Sequence, residues 1–424
     1  MDGKSEALGT SEYPCAMLVP NAWCPVPNPE MTKRLYYSDS LLTAFDATVV
    51  SNEIEDGRSV VVLDQTAFYP SSGGQPFDTG QLDGTRVVDV VDREDGTIAH
   101  VVEKSLAPGT VVHGDIDWPR RFDHMQQHTG QHVLSAAFDR LHHVRTVSFH
   151  LGAESSTIDL AREVSPAEID AAEQLANQVV WDERPVGIRF ATPEEAARLP
   201  LRKEPTRTGP LRLIEVPDFD LSACGGTHVP RTGMIGIIAI TAWERYKGAT
   251  RVSFACGGRA MASHRMLRDI VTAATRALTV SSSDLGAALE RMRGEAKDQA
   301  RALRVLQEEV AGHRAAAFRA EAETIGPLRG VLREVPGWDA AALKTLAAAI
   351  VSGPGLVAVL VGDGRPVPVV IARSADVAFD ASAWMRRATA ELGGRGGGRP
   401  ELSQGGLDAV GQHVLEFARR TLAG

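Results

Sequence analysis

Cysteine is scarce in this chain: 424 residues contain only four, Cys15, Cys24, Cys224 and Cys256. That excludes a disulfide framework and fits a reducing compartment, so a cytoplasmic protein is expected. Positive charge is in deficit. Lys and Arg number 45 against 54 Asp and Glu, a formal net charge of −9. A globally basic nucleic-acid binder is therefore excluded, and any RNA contact must come from a local patch. No run is apolar for long enough to span a bilayer, so no membrane partner is expected. The first thirty residues carry Pro20, Pro25, Pro27 and Pro29, with no basic start leading into an apolar core. That argues against a secretory signal. They read as a disordered extension, with Met31 as the natural start or the point where the fold begins.

What is present is an ordinary composition, 43% hydrophobic and 23% charged, on a length that suits roughly two to four domains. An α+β fold is expected, in four parts after the extension 1–30. Residues 31–119 read as a small β-barrel: Val60–Leu63 and Val87–Val91 are β-branched runs, and Asp83-Gly84 and Asp95-Gly96 are turn signals. Residues 120–260 read as an α+β domain. It opens on a helix through Met125, His128, His132 and Phe138, and a second helix starts at Ser165-Pro166 with Glu168 behind it. Strands are expected at Val147–Phe149, Ser156–Leu160, Leu211–Val216, Ile235–Ile240 and Arg251–Ala255.

Residues 261–325 read as helical. Leu285, Leu289, Met292, Ala296, Gln299, Leu303, Leu306 and Val310 alternate spacings of four and three, a heptad seam with one polar position. A helix packed on its own protein and a coiled-coil arm that pairs two copies both satisfy that pattern. Residues 326–424 read as a small α/β domain. A hairpin is expected about Gly362–Arg365, then a helix over Ala381–Leu392, a glycine-arginine run and a helix from near Gly406 to Leu422.

Two short clusters carry the chemistry: His128-Thr-Gly-Gln-His132 and Cys224-Gly-Gly-Thr-His228. Three imidazoles and one sulfur make a full tetrahedral donor set of the softness zinc prefers. The first pair, spaced i and i+4, leaves one face of a helix. The second flanks Gly225-Gly226, where the chain can turn tightly. Gly130 between the histidines costs the helix about 1 kcal/mol relative to alanine, which makes sense if something approaches closely there. His124, one turn earlier, is a rival ligand. Cys256 reads as a buried strand-end residue. Four protein donors suit a structural zinc, whereas catalytic zinc usually keeps an open position; the residue types allow either.

Between Thr66 and Pro76 lies Thr-Ala-Phe-Tyr-Pro-Ser-Ser-Gly-Gly-Gln-Pro. Gly73 and Gly74 permit close backbone approach to a ligand, and Gln75 can both donate and accept. A plain hairpin turn with core aromatics is the simpler alternative. The run Gly393–Gly398, with Arg395 and Arg399, lacks the Lys-Ser/Thr ending of a nucleotide-binding loop. Closely spaced amides plus two guanidiniums suit an RNA backbone, or the run is a flexible surface loop.

Together these segments resemble the editing domain of alanyl-tRNA synthetases and their free-standing AlaX-type relatives. The pieces that match are Phe68 to Gln75, His128 to His132, Cys224 to Val229, Thr232 to Gly236 and Gly394 to Pro400, in the family's order. The resemblance implies zinc held by His128, His132, Cys224 and His228. It implies hydrolysis of serine, and of glycine second, from tRNA for alanine. His128 and His132 would then belong to the catalytic site, with Thr66 and Gln75 sensing the serine hydroxyl. Gly73, Gly74, Arg121, Lys247 and Arg251 would meet the acceptor end, and Arg395 and Arg399 the outer corner of the tRNA; an ordinary surface or structural charge is the simpler alternative for Arg121, Lys247 and Arg251. The glycine-arginine segment implies the long form, and the short head implies a stand-alone editor. Ser71-Ser72 depart from the acidic residue or glycine often found there. No Asp or Glu stands out as a general base. Two rivals remain: a zinc hydrolase of another ester, and a non-catalytic tRNA-binding module with structural zinc.

Overall fold

A computed structural model describes residues 31–153, 155–203 and 210–424. The expected extension, 1–30, lies outside the described residues. The chain forms two compact units, one ending at Val271 and the other starting at Thr272.

The first unit opens on β1 (Lys33–Arg34), followed by β2 (Ala44–Glu55) and β3 (Arg58–Leu63). Next come β4 (Gln65–Thr66), β5 (Gly80–Leu82), β6 (Thr85–Asp92), β7 (Ile98–Val102) and β8 (Val111–Ile116). Strands β1 and β4 pair in parallel, while the other six close a barrel in the order β2-β3-β7-β6-β5-β8. Alternation along β2 sends Phe45, Ala47 and Val49 inward, where they meet Val61, Leu63, Phe68, Leu82, Ile98 and Val112. Two-residue turns set the register. Asp56-Gly57 and Asp83-Gly84 all take positive φ, the geometry that matches hairpin twist.

The chain then enters α1 (Trp118–His142), β9 (Thr146–Leu151), β10 (Ser156–Leu160), α2 (Pro166–Trp181), β11 (Gly187–Ala191) and α3 (Pro193–Ala196). It continues through β12 (Leu211–Val216), β13 (Asp220–Ala223), β14 (Ile238–Tyr246), β15 (Ala249–Cys256) and α4 (Gly257–Leu278). One sheet has the order β14-β15-β10-β9 and a smaller one β11-β12-β13. Helix α2 starts as its sequence dictates: Ser165 accepts from the Glu168 amide, and Glu168 reaches back to the Ser165 amide. The strand expected over Ile235–Ile240 begins later. Thr232–Ile235 winds into a 3-10 turn, and Gly236 takes a φ of 84°, which extended chain does not adopt.

Helix α1 is buried almost all round from His124 to Phe138, and half of that stretch is polar: His124, Gln126, Gln127, His128, Thr129, Gln131, His132 and Ser135. Polar groups are buried at a cost unless bonded, so this helix is built around a site. One ion pair fixes it to the barrel. Arg121 and Asp78 are both 0% exposed, with Nε donating to Oδ2 at 2.9 Å. Arg121 Nη1 also donates to Ser40 O, and Asp78 Oδ2 accepts the Tyr69 amide. Arg121, expected to meet RNA, therefore has no surface to offer. It is a corrected assignment: its donors are spent on fastening α1 to the loop that carries Gln75.

The second unit contains α5 (Leu285–Ala320), β16 (Glu323–Ile325), β17 (Leu328–Glu334), α6 (Ala340–Val351) and β18 (Leu356–Val361). It ends with β19 (Val367–Arg373), α7 (Ala381–Leu392), β20 (Arg395–Arg399), β21 (Leu402–Leu407) and α8 (Gly411–Leu422). The sheet order is β16-β17-β18-β19-β21-β20, with β17 and β18 parallel and the other pairs antiparallel. Helix α6 covers one face together with the end of α5, while α7 and α8 cover the other. The glycine-arginine run is an edge strand, not a loop. It pairs with β21, and a Cβ at Gly396 would come within 2.7 Å of Met385 Sδ. Because Leu402–Leu407 is taken by the sheet, α8 begins at Gly411 and not near Gly406. Along α5, Ala311 and Ala315 are buried, but Leu289, Met292, Leu303, Leu306 and Val310 stay exposed. No helix among the described residues is long and apolar enough to cross a membrane.

Removing one partner of the Arg121–Asp78 pair strands the other charge. Asp78→Ala is expected to cost about 3–5 kcal/mol in urea unfolding, whereas Arg121→Met with Asp78→Leu costs clearly less. A single variant as stable as the parent contradicts the anchoring role.

Candidate metal centre

The i,i+4 spacing places His128 and His132 on one face of α1, and the turn after β13 brings Cys224 and His228 to meet them. The four donor atoms lie within 4.8 Å of one another. Cys224 Sγ is 3.3 Å from His128 Nε2 and 3.3 Å from His228 Nε2. Tetrahedral zinc with bonds near 2.0–2.3 Å sets its donors about 3.3–3.8 Å apart, so the residues present fit such an ion. His124 does not join this group; it is buried, with Nδ1 unpartnered, and burial pushes its pKa down to about 4.

Each imidazole turns its other nitrogen to a fixed partner. His128 Nδ1 lies 2.8 Å from Gln75 Oε1, His132 Nδ1 3.0 Å from Asp220 Oδ2, and His228 Nδ1 3.2 Å from Thr129 Oγ1. These contacts leave the Nε2 atoms to converge, the arrangement that orients metal-binding histidines. The electrostatics of the donors differ. Burial penalises a thiolate at Cys224, yet His128 and His228 hold its pKa well below the ordinary thiol value. Burial opposes charge on His132, but Asp220 and Cys224 raise it to about 9. Burial lowers His228 to about 3 despite Cys224, so that ring is neutral.

Glycines allow the close approaches. A Cβ at Gly226 would stand 2.2 Å from His128 Cε1. A Cβ at Gly74 would meet the Phe149 ring at 3.0 Å, and that ring lies 5.9 Å from His128. Gly73 takes a φ of 53° to make the same turn. Gln75 is shared: Oε1 also accepts the Thr227 amide at 3.2 Å, and Nε2 donates to Thr227 Oγ1 at 2.8 Å. Gly130 is explained by Cys256, whose Sγ would be 2.3 Å from an added Cβ.

Residues 26–120 match the family tRNA synthetases class II (A). Residues 211–253 match the Threonyl and Alanyl tRNA synthetase second additional domain, and residues 329–423 the DHHA1 domain. The chain is 30% identical over 404 residues to the alanyl-tRNA editing protein AlaX-L of Pyrococcus horikoshii, covering 92% of this chain and 98% of that protein. The chain belongs to the AlaX-type alanyl-tRNA editing family. It is also 35% identical over 396 residues to the alanine–tRNA ligase of Pyrococcus furiosus and 36% over 400 residues to that of Methanothrix thermoacetophila. These alignments take in 88% and 90% of this chain but only 42% and 43% of the ligases.

In this family member the other expected residues fall in different places. Thr66 is fully buried, its hydroxyl 2.8 Å from His100 Nε2 and accepting the Phe68 amide at 3.1 Å. Lys247 and Arg251 lie at and near the β14–β15 turn. Arg251 is bonded to Asp159 and sits 3.6 Å from the centre of the Tyr246 ring, which Lys247 also approaches. Arg395 and Arg399 are exposed at the two ends of β20. Sequence reasoning missed Asp220, Thr129 and Arg212. Thr129 sits inside the His128–His132 motif, and a search for acceptors flanking each histidine pair would have found it.

Helix propensity alone favours Gly130→Ala by about 1 kcal/mol. The Cys256 contact reverses the sign, and a net loss of about 1–3 kcal/mol is expected. Adding Cys256→Ala should recover most of it, a coupling read by a double-mutant cycle in urea. Additive effects would mean that Gly130 answers to something else.

Proposed function

We propose that this chain is a zinc-dependent trans-editing deacylase that removes serine, and secondarily glycine, from tRNA for alanine. The observation that carries this reading is the convergent set His128, His132, Cys224 and His228, each histidine braced at Nδ1. The name borne by the Pyrococcus horikoshii relative supports the substrate class. Zinc, when bound, supplies a Lewis acid able to polarise a carbonyl or a water. The protein's own groups do the rest. The loop from Phe68 to Gln75 and the Phe149 ring form the wall beside His128, and the braced rings keep the donors from turning away.

Selectivity follows from hydrogen-bond polarity. A site that must spare alanine cannot reject serine by size, but it can reward a hydroxyl. His100 Nδ1 lies 3.2 Å from Val61 O, which makes Nδ1 the protonated nitrogen and Nε2 the acceptor. Burial lowers the His100 pKa to about 4, so the ring is neutral. Thr66 therefore donates to His100, and its oxygen keeps acceptor capacity for a serine hydroxyl. We assign Thr66 and Gln75 to that hydroxyl, Gly73 and Gly74 with Lys247 and Arg251 to the acceptor end, and Arg395 and Arg399 to the distal part of the tRNA. The working layout is a barrel over 31–119, an editing domain over 120–260, a helical arm over 261–325 and a tRNA-binding α/β domain over 326–424.

The test is deacylation of Ser-, Gly- and Ala-tRNA, all on tRNA for alanine, by full-length zinc-loaded protein. Serine is expected to be lost and alanine spared, with activity abolished by His128→Ala plus His132→Ala. Thr66→Val should narrow the serine-to-alanine ratio about tenfold or more, the worth of one buried hydrogen bond. Binding of the tRNA without turnover would overturn the enzyme in favour of a binding module. Turnover of an ester without tRNA would point to another hydrolase.

The exposed seam on α5 also supports self-association. We propose that two copies pair along Leu289, Met292, Leu303, Leu306 and Val310. Light scattering should give a dimer that Leu303→Glu with Leu306→Glu reduces to a monomer. A monomeric parent would refute the pairing.

A further inference from the structure

The loop Cys224–His228 carries two of the four donors, and its backbone is bonded on two sides. The Gly226 amide faces Cys224 Sγ at 3.4 Å, and the Thr227 amide faces Gln75 Oε1 at 3.2 Å. Carbonyls of the same turn meet a different partner, Arg212 on β12. Its Nη1 donates to Cys224 O at 2.8 Å and to Gly226 O at 2.9 Å, and its Nε donates to Tyr37 O at 2.9 Å. Cys224 is held from a second side as well, because its amide donates to Arg212 O at 3.0 Å.

This guanidinium sits in an unusual place. Arg212 is only 6% exposed, and among the described residues no carboxylate pairs with it. Its Nη2 is buried without a hydrogen-bond partner. The Tyr37 ring, 5.4 Å from Cζ, is its aromatic neighbour, and the Tyr37 hydroxyl lies 3.4 Å from where a Cβ on Gly225 would be. Burying an unpaired charge is costly, and the buried Arg121 avoids that cost with Asp78. A position that needed only bulk would be better served by an apolar residue. What an arginine adds is a rigid fork that can hold several carbonyls at fixed angles.

We propose that Arg212 is a positioning residue: it draws the Cys224 and Gly226 carbonyls toward β12, and so presets the Cys-Gly-Gly-Thr-His turn, with the Gly226 amide on Cys224 Sγ and the Thr227 amide on Gln75 Oε1, before any ion arrives. The inference rests on reading that cluster as a metal site, but the preset turn has its own signature in protein without metal.

Hydrogen exchange on zinc-free parent protein gives the first readout. The Gly226 and Thr227 amides should be protected to nearly the level of the zinc-loaded protein. Exchange at open-loop rates in the zinc-free parent would overturn the proposal, whatever any variant does. The second readout is zinc affinity by chelator competition for Arg212→Lys, which keeps the charge but not the fork, and Arg212→Met, which keeps the bulk. Both should lose about 10–100-fold in affinity, the usual effect of removing a group that orients metal ligands. The amides of β12 and β13 should stay protected in both. Parent-like zinc affinity in both variants would overturn the inference while leaving the metal site intact. A parent that binds no zinc would instead defeat the reading of the cluster.

Discussion

An imidazole has two nitrogens, and a metal centre forms only if every ring turns the right one inward. The bonds at the Nδ1 atoms of His128, His132 and His228 make that choice, and the rest of the first unit is arranged to supply them. The partners come from three places. Gln75 arrives on the loop leaving β4, Asp220 on β13, and Thr129 from α1 itself. The three partners come from different elements, so barrel, helix and sheet meet at one point.

That requirement explains features that look costly taken singly. A helix that buries eight closely spaced polar residues is poor material for a core, yet here most of them are bonded to a neighbour. Gln127, for example, accepts the Cys256 amide and donates to the Cys256 carbonyl. Gly130 weakens the helix so that the Cys256 sulfur can seat against it, and Gly226 weakens the loop so that His128 can approach. The buried Arg121–Asp78 pair spends two charges on keeping α1 and the Gln75 loop in register.

The sequence carried the parts of this picture that are local. The two donor pairs are short motifs whose spacing implies their geometry. The Ser165–Glu168 cap and the Asp-Gly turns of the barrel are equally self-contained. Contacts that join distant segments were not legible. Asp220 lies 88 residues from His132, and Asp78 lies 43 from Arg121. Neither acid belongs to any periodic pattern, so the sequence left Arg121 between an RNA contact and an ordinary surface or structural charge, and the structure makes it a buried tether. The secondary structure of the glycine-arginine run was open for a related reason. Glycine signals a turn in sequence, but here it lets a strand pass beneath Met385. The heptad seam on α5 was visible as a pattern, and the single chain leaves it uncovered.

X-ray absorption at the zinc edge on full-length protein, paired with elemental analysis, tests the proposed centre of His128, His132, Cys224 and His228 most directly. The prediction is one zinc per chain with a first shell of one sulfur and three nitrogens, the sulfur lost in Cys224→Ser. A folded protein that takes up no zinc, or a shell made only of oxygen and nitrogen, would contradict the central claim.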